Sequence, residues 1–283
     1  MKCKLCGSEK LIKTQNISTN NIQIGYKINV KKYFKSDEFI EYRCSNCQIK
    51  SFDNVIPGDS EFYDFLQEQP MYYESDKGEF RKAIELISKY SPNKLLEIGA
   101  GRGYFLEKIK NSFEVRASEY SEKSLIYLKS KNVLLDKDND SYDFIVSFQV
   151  FEHVDNLKEL LSFVDRKLEA NGYLFVTVPN NDSDYFQETF DILDYPPHHM
   201  HQFNEYALKY IAKEMNFELL EYWIEPMRIE HYSSIIRQRR KRIMHKFKFV
   251  SKVFSLLDYL LLPYNYDNKE TGHTHGILLQ KRK

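Results

Sequence analysis

The segment at residues 194–204 holds the densest group of side chains that can do chemistry. It reads DYPPHHMHQFN and places His198, His199 and His201 within four residues, directly after two prolines. Proline fixes φ and disfavours a helix, so we expect a rigid, extended loop that presents the imidazoles above a sheet edge. Imidazole has a reference pKa of about 6.5 and can therefore exchange a proton near neutrality. A surface loop whose histidines only form hydrogen bonds is the alternative interpretation.

A fourth imidazole, His153, lies near the end of the segment 142–154, YDFIVSFQVFEHV. This segment begins as an apolar run suited to a buried strand, so His153 is expected beyond the strand's carboxyl end, in the same crevice as the loop. We predict His199 as the group that accepts a proton, with His198 and His153 beside it as further catalytic residues. A metal ion held by His153, His199 and His201 is an alternative, although the sequence offers no evident carboxylate ligand for it.

The four cysteines of the chain form two CxxC pairs, Cys3 with Cys6 and Cys44 with Cys47. In a reducing compartment this arrangement favours a metal over disulfides. Four thiolates close a tetrahedral site and leave no position for water, so the predicted Zn²⁺ is structural and not catalytic. A redox role fits less well, because a redox CxxC needs one pair and normally opens a helix in a thioredoxin-like unit.

A third group of residues surrounds a glycine turn in KLLEIGAGRG, residues 94–103. A short apolar strand there runs into Gly99, Ala100 and Gly101, so the turn carries almost no side chains. A ligand can lie against backbone N–H groups at such a turn, where a helix begins. Glu97 is an acidic residue inside the strand, two positions before the first glycine. A tight strand-to-helix turn without a ligand is the alternative.

Glu119 extends this pattern, because it follows the next apolar alternation and lies 20 residues after Gly99. A carboxylate in that position holds the hydroxyl groups of a ribose. Glu97 favours an adenosyl cofactor over NAD, because a carboxylate beside the turn repels a pyrophosphate and attracts the ammonium group of a methionine moiety. Tyr104 also stands where a dinucleotide fingerprint carries its last glycine.

These segments resemble the successive motifs of the class I S-adenosylmethionine-dependent methyltransferases. The resemblance rests on EIGAGRG, Glu119, YDFIVSFQVFEHV and NGYLFVTVPN, and it covers roughly residues 77–225. It implies S-adenosyl-L-methionine as the cofactor. The contact residues that it implies are Glu97, Gly99, Ala100 and Gly101 at the methionine end, Glu119 at the ribose, Tyr120 and Asp136 at the adenine, and Phe148 in the same site.

The histidine loop is similar to a PHH-plus-aromatic element in methyltransferases of sugar and surface-polysaccharide pathways, some of which carry an N-terminal cysteine-liganded zinc unit. This resemblance implies a small polar acceptor, a nucleotide-linked sugar of surface-glycan biosynthesis. It also implies that His153 and one of His198 and His199 lie in the active site. Methylation of an oxygen, or of a carbon next to a ketone, both remain open.

Two other functions compete with this interpretation. An RNA methyltransferase would use the zinc unit to bind RNA, but SFQVFEHV stands where base-methylating enzymes carry an Asn/Asp-Pro-Pro-aromatic tetrad. A non-enzymatic zinc scaffold with a degenerate nucleotide fold is the second alternative. The chain retains Glu97, Glu119 and His153, which argues against a degenerate fold that has lost its site.

The elements that must position these residues alternate between strands and helices. Strands are predicted at 95–98, 113–119, 133–135, 142–148 and 172–178, with helices at 104–110, 121–130 and 156–168 between them. Right-handed crossovers turn this alternation into an α/β fold, a doubly wound Rossmann-like sheet. Ligands of such sheets lie at the carboxyl ends of the strands.

We predict four segments: a zinc-binding domain at 1–56, an aromatic linker or helical lid at 57–76, a catalytic domain at 77–230, and a C-terminal extension at 231–283. Between the cysteine pairs, the alternation of Ile22, Ile24, Tyr26 and Ile28 predicts antiparallel strands. The last strand, 273–279, is expected at the sheet edge with His273 and His275 on the surface.

The C-terminal extension begins with an apolar stripe at helical spacing over residues 231–262. Residues 237–252 carry eight Lys or Arg and no acid. We expect a helix with a solvated basic face that packs on the core or on a second copy of the chain. Peripheral contact with an anionic membrane, or phosphate binding, is the alternative.

Composition limits the remaining possibilities. Lys and Arg total 41 and so do Asp and Glu, so no global basic field favours nucleic acid as a partner. Hydrophobic residues make up 42% of the chain, as in an ordinary globular protein. No apolar run approaches the roughly 20 residues of a membrane span, and the N-terminus lacks the apolar core of a signal peptide. We therefore expect a cytoplasmic protein.

Overall fold

The structure is a computed structural model, and it describes residues 1–69, 72–246 and 272–282. Its strands are β1 (Leu11–Ser18), β2 (Glu38–Cys44), β3 (Lys50–Asp53), β4 (Lys94–Ile98), β5 (Glu114–Ser118), β6 (Leu134–Leu135), β7 (Tyr142–Phe148), β8 (Leu168–Pro179), β9 (His201–Gln202), β10 (Phe217–Ile224) and β11 (Thr274–Lys281). Its α-helices are α1 (Thr19–Gln23), α2 (Ser60–Gln67), α3 (Gly78–Tyr90), α4 (Tyr104–Ile109), α5 (Glu122–Ser130), α6 (Leu157–Lys167), α7 (Asp184–Glu188), α8 (Glu205–Met215) and α9 (Ile229–Lys246).

A central sheet of seven strands carries the fold, in the order β10-β11-β8-β7-β4-β5-β6. The five strands from β8 to β6 pair in parallel, and β11 runs antiparallel to both of its neighbours, β8 and β10. Helices α4, α5 and α6 lie in three of the four connections between the parallel strands, and a short loop joins β6 to β7. The predicted α/β fold with a Rossmann-like sheet is confirmed.

Two apolar cores cover the two faces of this sheet. Leu96 and Ile98 of β4 pack into the core that contains α6 and α8, and Leu95 packs into the core that contains α3, α4 and α5. The split follows from strand geometry, because successive side chains point to opposite faces. All three leucine and isoleucine side chains are buried, as expected for a parallel strand with helices on both faces.

The last strand is interior, and its predicted edge position is wrong. β11 pairs with β8 on one side and with β10 on the other, so β10 forms the edge. Ile277, Leu278 and Leu279 are all buried, which means that β11 is covered on both faces, whereas β10 is mostly half-buried or exposed. His275 is also buried and contacts the Tyr222 hydroxyl through Nδ1 at 3.1 Å, so its expected surface position is wrong as well.

The N-terminal region forms a second sheet in the order β1-β2-β3-β9. The fourth strand comes from the histidine loop, because Ser51 of β3 pairs with His201 of β9. Leu5 and Ile49 pack in the same core as the central sheet. The cysteine-rich region and the catalytic region therefore share one apolar core, and the predicted domain boundaries stay a prediction.

Antiparallel strands do lie between the cysteine pairs, but not where the isoleucine alternation predicted them. Residues 19–23 form α1, and Ile24 is 84% exposed. Ile22 and Tyr26 are both buried, and they are four residues apart, the spacing that places two side chains on one side of a helical turn. A spacing of four residues also places two side chains on the same face of a strand, so the sequence alone did not distinguish a helix from a strand here.

The basic segment begins as the helix α9, which ends at Lys246 in the described part of the chain. Arg239 and Arg242 pair with Glu188, which ends α7. The rest of the apolar stripe, from residue 247 to 262, lies outside the described residues. Among the helices that the structure describes, none combines the length and the apolar character needed to cross a membrane.

Candidate functional site

A cleft of about 850 Å³ opens at the carboxyl ends of the parallel strands. The glycine turn after β4 borders it on one side and the histidine loop on the other. Helix α2, Tyr72 and Tyr73 line part of the cleft, and the predicted role of this aromatic segment as a lid stays a prediction. The predicted residues that line it are Gly99, Glu119, Tyr120, Phe148, His153, His198 and His199.

Glu119 organises the glycine turn through its carboxylate. Oε2 accepts a hydrogen bond from the Gly101 N–H at 2.7 Å, and Oε1 accepts from the N–H groups of Tyr120 and Ser121 at 2.8 and 2.9 Å. Gly101 has φ +51°, and an added Cβ would lie 2.7 Å from the Tyr73 ring. Only glycine fits that position without strain, so the turn stays open towards the cleft.

Glu97 is buried below this turn. Its Oε2 has no hydrogen-bond partner among the described residues, and burial raises its pKa well above the ordinary value. The nearby Lys77 ammonium lowers the same pKa, but by less. A buried carboxyl group with one unpaired oxygen suits a cationic ligand group, so the residues present fit the ammonium end of a methionine moiety.

The remaining predicted cofactor contacts lie in different places, some at the cleft or its glycine turn and one away from it. Phe148 lies in the cleft wall, and Tyr120 stands 92% exposed at the rim. Ala100 is buried in the turn. Asp136 does not line the cleft: its carboxylate accepts a hydrogen bond from the Tyr142 hydroxyl at 2.6 Å and pairs with Lys167 at 2.8 Å. The structure therefore brings the other predicted cofactor residues together around the turn, but not Asp136.

Three imidazoles form one cluster on the opposite side of the cleft. The ring centroids of His153 and His198 are 4.4 Å apart, those of His153 and His199 are 4.8 Å apart, and those of His198 and His199 are 4.5 Å apart. The predicted pairing of His153 with the loop is therefore present. The loop itself is not extended, since the N–H groups of His198 and His199 both bond the Tyr195 carbonyl and close a turn.

Hydrogen bonds assign the proton of two of these rings. His153 Nδ1–H donates to the His198 carbonyl oxygen at 2.8 Å, and His198 Nδ1–H donates to the Leu193 carbonyl oxygen at 2.8 Å. His198 Nε2 then accepts from the Tyr72 hydroxyl at 3.0 Å. His153 Nε2 lies 3.8 Å from Glu152 Oε1, whereas both nitrogens of His198 are engaged in hydrogen bonds.

Burial keeps the cluster uncharged. It lowers the pKa of His153 to about 4, and it lowers the pKa values of His198 and His199 well below the ordinary value, with further lowering from the neighbouring imidazoles. All three rings are therefore neutral at pH 7, and each retains one basic nitrogen. An unprotonated ring can accept a proton from a bound hydroxyl group, and the lowered pKa makes it a weaker base than a free imidazole.

His201 is not part of the cluster. It is buried, and its Nδ1 lies 2.8 Å from the Ser51 hydroxyl on the N-terminal sheet. Nitrogens of His153, His198 and His199 come within 4.8 Å of one another. The His198 and His199 rings are stacked at 21°, so their in-plane lone pairs run side by side and do not converge on one ion. This geometry favours proton chemistry over a histidine-held metal.

Four further residues of the site were not predicted from the sequence. They are Tyr63, Tyr72, Glu152 and Asp194, and all of them line the cleft. Glu152 directly precedes His153 after the fourth parallel strand, and this position could have marked it as a site residue. Asp194 stands two residues before the double proline. His273 also lines the cleft, which contradicts its predicted surface position.

The four cysteines meet at one point beside the second sheet. Cys3 Sγ lies 3.4 Å from Cys47 Sγ, Cys6 Sγ lies 3.6 Å from Cys44 Sγ, and all four sulfurs lie within 4.8 Å of one another. Zn–S bonds of about 2.3 Å in a tetrahedron place sulfurs about 3.8 Å apart, so the set fits Zn²⁺. A hydrogen bond from Cys47 lowers the pKa of Cys3 to about 5.

Comparison with known proteins decides the family. A family model described as a methyltransferase domain matches residues 72–222, which is more than half of the chain. The chain belongs to this methyltransferase family. The matched residues contain the glycine turn, Glu119 and the histidine loop, whereas helix α2 and His273 line the cleft from outside the matched range.

Individual relatives of the methyltransferase are distant. It is 28% identical over 100 residues to the mitochondrial ubiquinone biosynthesis O-methyltransferase of Dictyostelium discoideum. That stretch is 34% of this chain and 31% of the relative, so the match spans about a third of the relative's length.

Two solved methyltransferase structures resemble the chain at low sequence identity. A SAM-dependent methyltransferase from Archaeoglobus fulgidus gives a TM-score of 0.50 at 17% identity and covers 77% of this chain and 100% of that one. An S-adenosylmethionine-dependent methyltransferase from Clostridium acetobutylicum gives 0.48 at 11% identity, with 78% and 98% covered. The Archaeoglobus likeness supports the Rossmann-like fold of the methyltransferase.

Proposed function

We propose that this methyltransferase transfers the methyl group of S-adenosyl-L-methionine to a hydroxyl oxygen of a small polar acceptor. The cofactor, when bound, supplies an electrophilic methyl group on a sulfonium. Glu97 would hold its ammonium group, and Glu119, which already holds the glycine turn, would hold the ribose hydroxyls. The observation that carries the proposal is one cleft with this turn on one side and the neutral histidine cluster on the other.

His199 takes the proton of the acceptor hydroxyl in this proposal. Its ring lines the cleft and is neutral at pH 7, and its Nδ1 lies 3.6 Å from Asp194 Oδ1. His198 is fully engaged by Leu193 and Tyr72, so it orients its neighbour instead of accepting a proton. His153, whose ring contacts that of His199, is the second candidate for the base.

The acceptor that we propose is the sugar of a nucleotide-linked sugar. Tyr63 and Tyr72 give the cleft flat apolar walls, which suit a pyranose ring. Of the residues lining the cleft, seven are Asp or Glu and Lys77 alone is Lys or Arg. This charge balance is why we place the sugar, and not the diphosphate, beside the histidines. The O-methyltransferase among the relatives supports an oxygen acceptor.

Zn²⁺ at the four cysteines completes the proposal. The ion binds Cys44, the last residue of β2, and Cys47 in the turn that leads to β3. Strand β3 in turn pairs with β9 of the histidine loop. Its role is structural, since four thiolates leave no position for a substrate.

A two-step experiment tests the proposal. Calorimetry with S-adenosylhomocysteine measures cofactor binding by the purified full chain. Isotope-labelled S-adenosylmethionine with a panel of nucleotide sugars then measures methyl transfer, and mass spectrometry identifies the methylated atom. We expect S-adenosylhomocysteine to bind and an O-methyl sugar to form. Absence of binding rejects the cofactor, and labelling at carbon rejects the oxygen acceptor.

A further inference from the structure

Glu152 is a buried carboxyl group that faces the cleft without a partner. It is 1% exposed, and neither of its carboxyl oxygens has a hydrogen-bond partner among the residues that the structure describes. Oε1 comes no nearer than 3.8 Å to His153 Nε2, which is beyond hydrogen-bond distance. A buried polar group left unpaired destabilises a fold. In a cleft, the same group is available to a ligand.

Glu152 and the base proposed above reach the same part of the cleft. Glu152 lies 3.8 Å from the His153 ring nitrogen, and the His199 ring lies 4.8 Å from the same ring between centroids. His153 is therefore in contact with both. Glu152 and His199 also both line the cleft, so a ligand that lies against His153 borders both groups.

The surroundings of Glu152 restrict what it can bind. Tyr63 packs edge-on against His153 with centroids 5.9 Å apart, and Tyr72 packs against His198 at 5.7 Å, so the walls around the carboxyl are aromatic. Burial raises the pKa of Glu152 well above its ordinary value, with Glu79 adding to the shift. A carboxyl in this environment pairs with a neutral hydrogen-bonding group and rejects an anion.

We propose that Glu152 binds a hydroxyl group on the atom next to the one that is methylated, so that the acceptor is a vicinal diol. The inference rests on the proposed methyl transfer and names the substrate class of the same site. The second hydroxyl meets the hydrogen-bonding capacity of the carboxyl, whereas a monohydroxy analogue leaves it buried and unpaired. Sites built in this way reject the analogue that lacks the hydroxyl.

Two probe pairs test this assignment: catechol against phenol, and trans-1,2-cyclohexanediol against cyclohexanol. Binding is measured by calorimetry on the full chain saturated with S-adenosylhomocysteine. We expect the wild type to bind the diol of at least one pair at least 10-fold more tightly than its partner. Glu152→Leu loses this preference, Glu152→Gln keeps part of it because an amide still donates and accepts, and neither changes cofactor affinity. Equal affinity for diol and alcohol in both pairs overturns the inference.

A control and a stability measurement separate recognition from folding. Asp64 also lines the cleft, but it is partly exposed and pairs with Lys123 at 3.7 Å, so Asp64→Asn removes a cleft carboxylate that has a partner. We expect that variant to keep the diol preference. Glu152→Leu should melt no lower than the wild type, because it removes an unpaired buried group. A lower melting temperature, or a diol preference that survives in Glu152→Leu, assigns Glu152 a structural role and overturns the inference.

A failure of the diol inference can be distinguished from a failure of the proposed methyl transfer. If S-adenosylhomocysteine does not bind, the methyl-transfer proposal fails before any diol is tested. If the cofactor binds and methyl transfer to an acceptor is detected, equal treatment of diols and simple alcohols overturns the diol inference alone.

Discussion

Asp194 Oδ1 lies 3.6 Å from His199 Nδ1, and both side chains are buried in the wall of the cleft. Burial raises the pKa of Asp194 to about 8, with Asp191 adding to the shift, so its carboxyl is largely protonated at neutral pH. Once ionised, the carboxylate favours the tautomer of His199 that carries its proton on Nδ1. That tautomer leaves Nε2 free to accept the proton of an acceptor hydroxyl.

This relationship predicts a pH dependence. Asp194 loses its proton as the pH rises through about 8, so turnover should increase with pH across that region. Asp194→Asn cannot ionise, and its turnover should be lower than that of the wild type and should lack this rise. A profile of turnover against pH for both proteins makes the measurement. If the two profiles have the same shape, Asp194 does not position His199.

Removal of the proposed base should affect turnover and not cofactor affinity. His199→Ala should lower turnover by about 10²–10⁴-fold, the usual contribution of a general base, while S-adenosylhomocysteine binds as before. His153→Ala is the companion variant, because the two rings are in contact and their effects should be strongly non-additive. Wild-type turnover in His199→Ala on the true acceptor would show that transfer relies on positioning alone.

Glu119→Ala should weaken cofactor binding by about 1–3 kcal/mol. The carboxylate accepts hydrogen bonds from the N–H groups of Gly101, Tyr120 and Ser121, so the variant loses both the ribose contact and the order of the turn. Glu119→Gln retains the shape and should lose less. Calorimetry with S-adenosylhomocysteine measures the change, and NAD is expected not to bind. Tight NAD binding would contradict the assignment of Glu97.

The cysteine cluster predicts one zinc ion per chain. Cys44→Ser should lose the ion together with solubility, since its Sγ lies 3.6 Å from that of Cys6 and both are needed to close the site. Ser45→Ala, at an exposed neighbouring position, is the matched control and should retain zinc. Elemental analysis of the purified proteins makes the comparison. A metal-free wild type, or a Cys3–Cys6 disulfide in freshly reduced protein, would rule out the zinc site.

A consequence for the histidine loop follows from the pairing of β3 with β9. Ser51 holds His201 at 2.8 Å and lies four residues after Cys47, so loss of zinc should also loosen the loop. Hydrogen exchange at residues 201–202 is expected to be faster in Cys44→Ser than in Ser45→Ala. Equal protection in the two variants would show that the second sheet holds the loop without the metal.

Local sequence determined the parts of the site that depend on a few neighbouring residues. The glycine turn of residues 99–101 requires positive φ and close approach, and only glycine supplies both, so the turn could be predicted from its letters. Glu119 followed from a fixed spacing within one βα unit. The cysteine pairs followed from the geometry of a tetrahedral site. These predictions needed no knowledge of distant contacts.

Only the tertiary structure decided which distant groups meet. Glu152 and Asp194 belong to different segments, and their partners and burial depend on how the loop folds over the sheet. The exclusion of His201 from the cluster has the same origin, because its side chain turns to Ser51, 150 residues earlier in the chain. Strand β11 lies inside the sheet because its apolar residues find cover on both faces there. Periodicity reports which side chains need burial, whereas the choice of the surface that buries them depends on the packing of the whole chain.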